Sequence, residues 1–219
     1  MNKYMDMPMG SDTKAASNDT LSTTSKTRTR ESKPVNGTPE AKQAYIKGLR
    51  KYRDGDVRAA ISYLTAAIDA GIDDFDIFYY RGTCFLDTGD WDHAINDFTV
   101  LLRKDPKNND YLFHRGFAEY KAKNYPQAIL DFAAIPADET EYAGRWHYLG
   151  ILFYKNGQYD EAFACYEQAL REFPTVPKIW INSGIVLAAL NLHDRAEMAY
   201  SAAKKLDPRL IGQKLELQE

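Results

Sequence analysis

The side chains that could do chemistry are few, and their spacing is poor. Four histidines occur, His93, His114, His147 and His193. His114 and His147 could share a face and offer two nitrogens to a metal, but a site needs a third ligand at matching spacing, and no HExxH or Cys/His cluster supplies one. Cys84 and Cys165 lie far apart with no CxxC around them, so neither a disulfide framework nor a zinc site is indicated, and both read as small hydrophobes packed between helices. P-loop, GxGxxG and GxSxG motifs are missing. Asp54, Asp56, Asp90 and Asp92 sit where turns open into helices, a capping role. No metal, no cofactor and no catalytic residue is expected, and the chain does not read as an enzyme; a hydrolase is the remote alternative.

Composition fits that reading. Hydrophobic residues make up 44% of 219, enough for a sizeable core, and the net charge of −3 with a pI near 5.9 gives no field favouring nucleic acid. No apolar run is long enough to span a bilayer, so no direct membrane insertion is expected. The opening MNKYMDMPMGSDTK has no apolar stretch of a secretory signal, which points to a cytoplasmic protein.

Residues 1–40 differ from the rest. Twelve of the thirty residues from Ser11 to Glu40 are Ser or Thr, with Leu21 and Val35 as the large hydrophobes, and the segment reads as a disordered tail. Lys26, Arg28 and Arg30 alternate there with hydroxyl residues, and Met1, Met5, Met7 and Met9 cluster around Tyr4. The tail is either regulatory and partner-binding or a passive linker.

From residue 41 a 34-residue repeat sets in, with frames at 41–74, 75–108, 109–142, 143–176 and 177–208. Gly55, Gly89 and Gly157 recur two residues before Val57, Trp91 and Tyr159; Lys123 before Tyr125 and Asn191 before His193 fill the remaining slots. The eighth position is Gly48, Gly82, Gly116, Gly150 and Gly184. The twentieth is Ala60, Ala94, Ala128, Ala162 and Ala196, and the twenty-fourth is Leu64, Phe98, Phe132, Tyr166 and Tyr200. Small residues at positions 8 and 20 let two helices approach closely beside the large one at 24, and glycine near 15 ends the first helix with a positive φ. Pro106, Pro174 and Pro208 stop second helices. Pro136 and Thr140 depart from the pattern in the third frame, so its second helix should end early.

These columns resemble the tetratricopeptide-repeat family, most clearly in Trp146, Leu149, Gly150, Phe153, Ala162, Tyr166 and Pro174. The resemblance implies an all-α, right-handed superhelical solenoid of helix-turn-helix repeats. Residues 209–219 are expected to form a capping helix, as such stacks need. It also implies that first helices line a concave groove which takes a protein or peptide partner. The positions that line it are here Tyr45, Leu49 and Tyr52; Tyr79, Tyr80 and Leu86; Phe113, Phe117 and Tyr120; and His147, Tyr148, Ile151 and Tyr154, thinning to Ile181, Asn182 and Ile185. Lys42, Arg53, Lys121 and Lys155 form a charged edge. The carboxylate clamp of chaperone-binding members is not matched: Tyr45, Leu49, Tyr80, Asp110 and His114 stand where its Lys, Asn and Arg would be. The expected function is therefore an adaptor or chaperone-like module binding a peptide or amphipathic helix. The alternative is a scaffold subunit of secretion, motility or division machinery docking through convex faces and ends. Oligomeric state and partner identity are not legible.

Overall fold

The computed structural model describes residues 36–210 and 216–218. Among the described residues ten α-helices follow one another, α1 (Pro39–Arg53), α2 (Val57–Asp69), α3 (Asp76–Thr88), α4 (Trp91–Lys104), α5 (Asn109–Lys121), α6 (Tyr125–Ala134), α7 (Gly144–Lys155), α8 (Tyr159–Glu172), α9 (Pro177–Ala189) and α10 (His193–Leu206), with 3-10 turns at Thr140–Tyr142 and Pro208–Leu210. Among the described residues the one β feature is an isolated bridge between Asn36 and Asp73.

The repeat register is visible in the backbone. Second helices begin at Val57, Trp91, Tyr125, Tyr159 and His193, the residues that follow the glycine slot by two. All five slots turn the chain through positive φ: Gly55 (77°), Gly89 (75°), Lys123 (65°), Gly157 (76°) and Asn191 (60°). A left-handed residue frees the last carbonyls of one helix to be capped from beyond it. Asp90 N–H, for example, donates to Phe85 O at 2.9 Å.

Four helix pairs close at their eighth position. A methyl group at Gly48 would lie 2.7 Å from Leu64 Cδ2, one at Gly82 3.1 Å from Phe98 Cε2, and one at Gly150 2.7 Å from Tyr166 Cζ; at Gly184 it would meet Tyr200. Close packing of this kind leaves no room for an added methylene.

The contacts divide the chain into two compact units, one running to Ala122 and one from Lys123. In the first, Tyr45, Leu64, Ala67 and Ile77 form a buried cluster with Ala44, Leu49, Ile68, Ile72, Phe78 and Tyr80 packed on it. A polar tie recurs beside it: Arg81 Nη1 donates to Thr65 Oγ1 (3.2 Å) and Arg115 Nη1 to Thr99 Oγ1 (3.3 Å), each pair joining a first helix to the second helix before it. Arg81 also grips buried Asp97 through two hydrogen bonds of 2.7 and 2.9 Å. In the second unit, Leu187, Ala196 and Ala199 pack with Phe163, Trp180, Ala188 and Tyr200. Its least regular joint lies between α6 and α7. The helix stops at Ala134, two residues before Pro136, as the departing third frame led us to expect. Fully buried Arg145 then donates to Pro136 O (2.7 Å) and Glu139 O (3.1 Å), and its guanidinium lies 4.5 Å from the Trp146 ring centroid. Burial pulls the arginine pKa down, with Glu139 and Asp138 pulling the other way.

Two boundaries differ from expectation. Helix α1 begins at Pro39, inside the 1–40 tail, because Thr38 Oγ1 accepts the Ala41 N–H (3.1 Å) and proline suits the first helical turn. The rest of the tail, residues 1–35, lies outside the described residues. The 209–219 capping helix is not what the described part of that segment forms. Arg209 and Leu210 complete a 3-10 turn with Arg209 paired to Asp207 (2.8 Å), while residues 216–218 have no regular structure. Gln218 gives its backbone N–H to Asn182, a bond that a helix would use internally.

Candidate peptide-binding surface

The twelve residues expected to line a groove separate into two layers. Tyr45, Phe113, Phe117, Tyr120, His147, Tyr148 and Ile151 are buried, each with no more than 9% of its surface accessible; Leu49, Tyr52, Tyr79, Tyr80 and Tyr154 are half-buried. Leu86 is buried as well. Tyr45 shows why. It belongs to the first unit's core, and burial first and the Asp74 carboxylate second hold the phenol protonated far above its ordinary range. Sequence periodicity did not reveal the depth of these side chains.

In the first unit the half-buried rings form a row. Tyr52 meets Tyr80 edge-on at 5.3 Å between centroids, and Tyr80 meets Tyr79 at 5.8 Å. Tyr79 continues the row to Tyr111 (6.1 Å) and His114 (5.7 Å) on α5. Edge-to-face geometry of this kind fixes ring orientation and stabilises each pair by about 1 kcal/mol. His114 is set by packing: it stacks on Phe98 at 5.2 Å and its Nδ1–H donates to Asp110 O at 2.7 Å. In the second unit His147 meets Tyr148 (5.5 Å) and Tyr166 (6.2 Å), Tyr148 stacks on Phe132 (5.6 Å), and Tyr154 leans on Tyr159 (5.5 Å). His114 and His147, which the sequence allowed on one face, fall in different units, each among its own aromatic neighbours. Among the described residues no three His, Cys, Asp or Glu side chains gather as a metal site.

Two of the four residues expected to form a charged edge lie over rings. Lys121 lies over Phe117 (5.6 Å) and Tyr120 (5.3 Å), and Lys155 over Tyr125 (5.6 Å), while Lys42 and Arg53 are exposed. Asp56 and Asp90 cap α2 and α4 by accepting the Ala59 and His93 N–H groups. Both cysteines are free and buried, and burial pushes each thiol up to about 12.

One pairing was missed, at a position the sequence had placed on the thinning end of the groove. Asn182, on α9 and fully buried, spends both ends of its carboxamide on one backbone residue: Nδ2–H donates to Gln218 O (2.8 Å), and Gln218 N–H donates to Oδ1 (2.7 Å). No local pattern announces a pairing across 36 residues. The Arg81–Thr65 and Arg115–Thr99 ties did carry a signal, since both members recur at the 34-residue period.

No curated protein matches the sequence. Solved structures similar to the chain include a MamA protein, at a TM-score of 0.70 and 20% identity over 82% of this chain and 98% of that one. Another is residues 41 to the end of MamA from Desulfovibrio magneticus RS-1, at 0.69 and 20% over 81% and 100%. Similarity at this identity carries the fold. Among the described residues no helix is long and apolar enough to cross a membrane. The tetratricopeptide-repeat profile matches residues 45–108, 85–142 and 149–210, and with the 34-residue register of its second helices the chain belongs to the tetratricopeptide-repeat family, whose fold is a protein–protein interaction module.

Proposed function

We propose that the chain is an adaptor or chaperone-like module that holds an extended peptide or amphipathic helix of a partner protein against its first-helix faces. The observation that carries this reading is the row of half-buried tyrosines Tyr52, Tyr80 and Tyr79, whose rings are fixed by one another. Tyrosine offers a large apolar face and a polar tip at little entropic cost, which suits apolar anchors of a partner. The exposed cations Lys42 and Arg53 favour an acidic stretch in that partner. In this reading the chain binds and carries out no catalytic step. The buried layer, Phe113, Phe117 and Tyr148 among it, supports the half-buried one.

The test is affinity capture with the full chain beside Tyr52→Ala and Tyr154→Ala, each variant checked for unchanged helix content and urea midpoint. Loss of one discrete partner from the variants supports the reading; retention of it by both variants overturns it. A second reading, a scaffold subunit docking through second helices, draws on Leu130 of α6 and Met198 of α10, which are 63% and 73% exposed. Large apolar side chains at that exposure are common on monomers, so they carry less weight than the ordered row.

A further inference from the structure

We propose that the Asn182 carboxamide reads extended peptide backbone, and that the chain's own residues 216–218 occupy it, so that the C-terminal segment competes in cis with a partner segment for the last repeat. The inference rests on the first-helix faces being the peptide-binding ones and names a regulator of that surface.

The geometry is that of a two-point clamp. One carboxamide satisfies the N–H and the C=O of the same residue, at 2.7 and 2.8 Å, as a neighbouring β-strand would. Such pairing reads main chain and ignores side chains, except that it rejects proline, which has no N–H. The Gln218 side chain confirms the indifference: it is exposed and folds back, its Nε2–H donating to Glu216 O at 2.7 Å. Asn182 itself is fully enclosed beside buried Ile179, Ile181 and Ser183 on its helix, so its two polar ends need partners, and a departing tail must be replaced by another backbone or by water. Of residues 216–218, only Leu217 is even half-buried. A segment tethered a few residues beyond Leu210, with Glu216 and Gln218 exposed, is a competitor of high effective concentration that a longer partner can displace.

The probe is a fluorescent peptide of residues 211–219, IGQKLELQE, added to full-length protein and followed by polarisation. If the tail closes the site in nine molecules of ten, the native chain should bind the probe about tenfold more weakly than Gln218→Pro, whose own tail can no longer pair. A probe carrying proline in place of Gln218 should bind neither protein. Adding Asn182→Ala to Gln218→Pro should abolish probe binding. Because Asn182 is buried, that variant could unfold the last repeat. Gln218→Pro, in an exposed tail, leaves the core intact, and amide exchange supplies an independent readout: the Gln218 N–H should be protected in the native chain. Equal affinities of native and Gln218→Pro chains, or an unprotected Gln218 amide, would overturn the proposal. Partner capture that depends on Tyr52 yet ignores Gln218→Pro sinks this inference and leaves the proposed function standing. Tail-dependent probe binding with no Tyr52-dependent partner does the reverse.

Discussion

The joint between α4 and α5 and the joint between α6 and α7 perform one task in two ways. The first is closed by local signals. Helix α4 runs fourteen residues to Lys104, Pro106 prevents its continuation, and Asn108 caps α5 by accepting the Tyr111 N–H at 3.3 Å. The second lacks those signals: α6 has ten residues, no side-chain cap serves α7, and the intervening carbonyls of Pro136 and Glu139 are held by the guanidinium of buried Arg145. Where repeat punctuation is weak, a long buried side chain reaching back from the next helix replaces it. The cost is desolvation of a charge, so this joint depends on one residue in a way the other does not.

That dependence should be the largest measurable difference between the two. Arg145→Ala strands two carbonyls and should destabilise the second unit by about 3 kcal/mol, against about 1 kcal/mol for Asn108→Ala in the first, both read from urea unfolding. Arg145→Lys should recover only part of the loss, because an ammonium lacks the fork that spans both oxygens. The cysteines report which unit opens, since Cys84 lies in the first, Cys165 in the second, and both are buried as protonated thiols. In Arg145→Ala, labelling of Cys165 should accelerate roughly a hundredfold while Cys84 keeps its rate, as local opening predicts. Equal acceleration at both would show that the units unfold together and break the comparison.

Next in size are the helix crossings. Gly150→Ala, whose methyl would lie 2.7 Å from the Tyr166 ring, should cost about 2 kcal/mol, and Gly82→Ala, at 3.1 Å from Phe98, about 1 kcal/mol. The smallest effect has the opposite sign. Lys123 holds φ at 65°, a conformation glycine adopts without penalty, so Lys123→Gly should stabilise by about 0.5–1 kcal/mol in thermal unfolding. Asn191→Gly should gain only a few tenths, because asparagine tolerates that region.

Those expectations show what was legible. The start of every second helix could be read because its cause is local: one left-handed residue, one spacer, then a large side chain. The early end of α6 followed from Pro136 in the same way. The start of α1 was placed two residues late because Thr38 and Pro39 cap a helix inside a segment whose composition argued for disorder. Depth was harder. Tyr45 and Tyr52 lie on one helix at helical spacing, yet Tyr45 belongs to the core with Leu64, Ala67 and Ile77 while Tyr52 stays half-buried against Tyr80; the neighbours that decide this come from other helices. Asn182 and Arg145 are similar cases, polar side chains whose partners are backbone groups, and backbone leaves no mark in a sequence.

The function reading is tested most directly by placing a photo-crosslinking phenylalanine analogue, one chain at a time, at position 52 of α1 or position 198 of α10 and irradiating in the source cells. The account predicts a discrete protein adduct from position 52 and none from position 198. An adduct from position 198 with none from position 52 would contradict it and assign partner docking to the second helices.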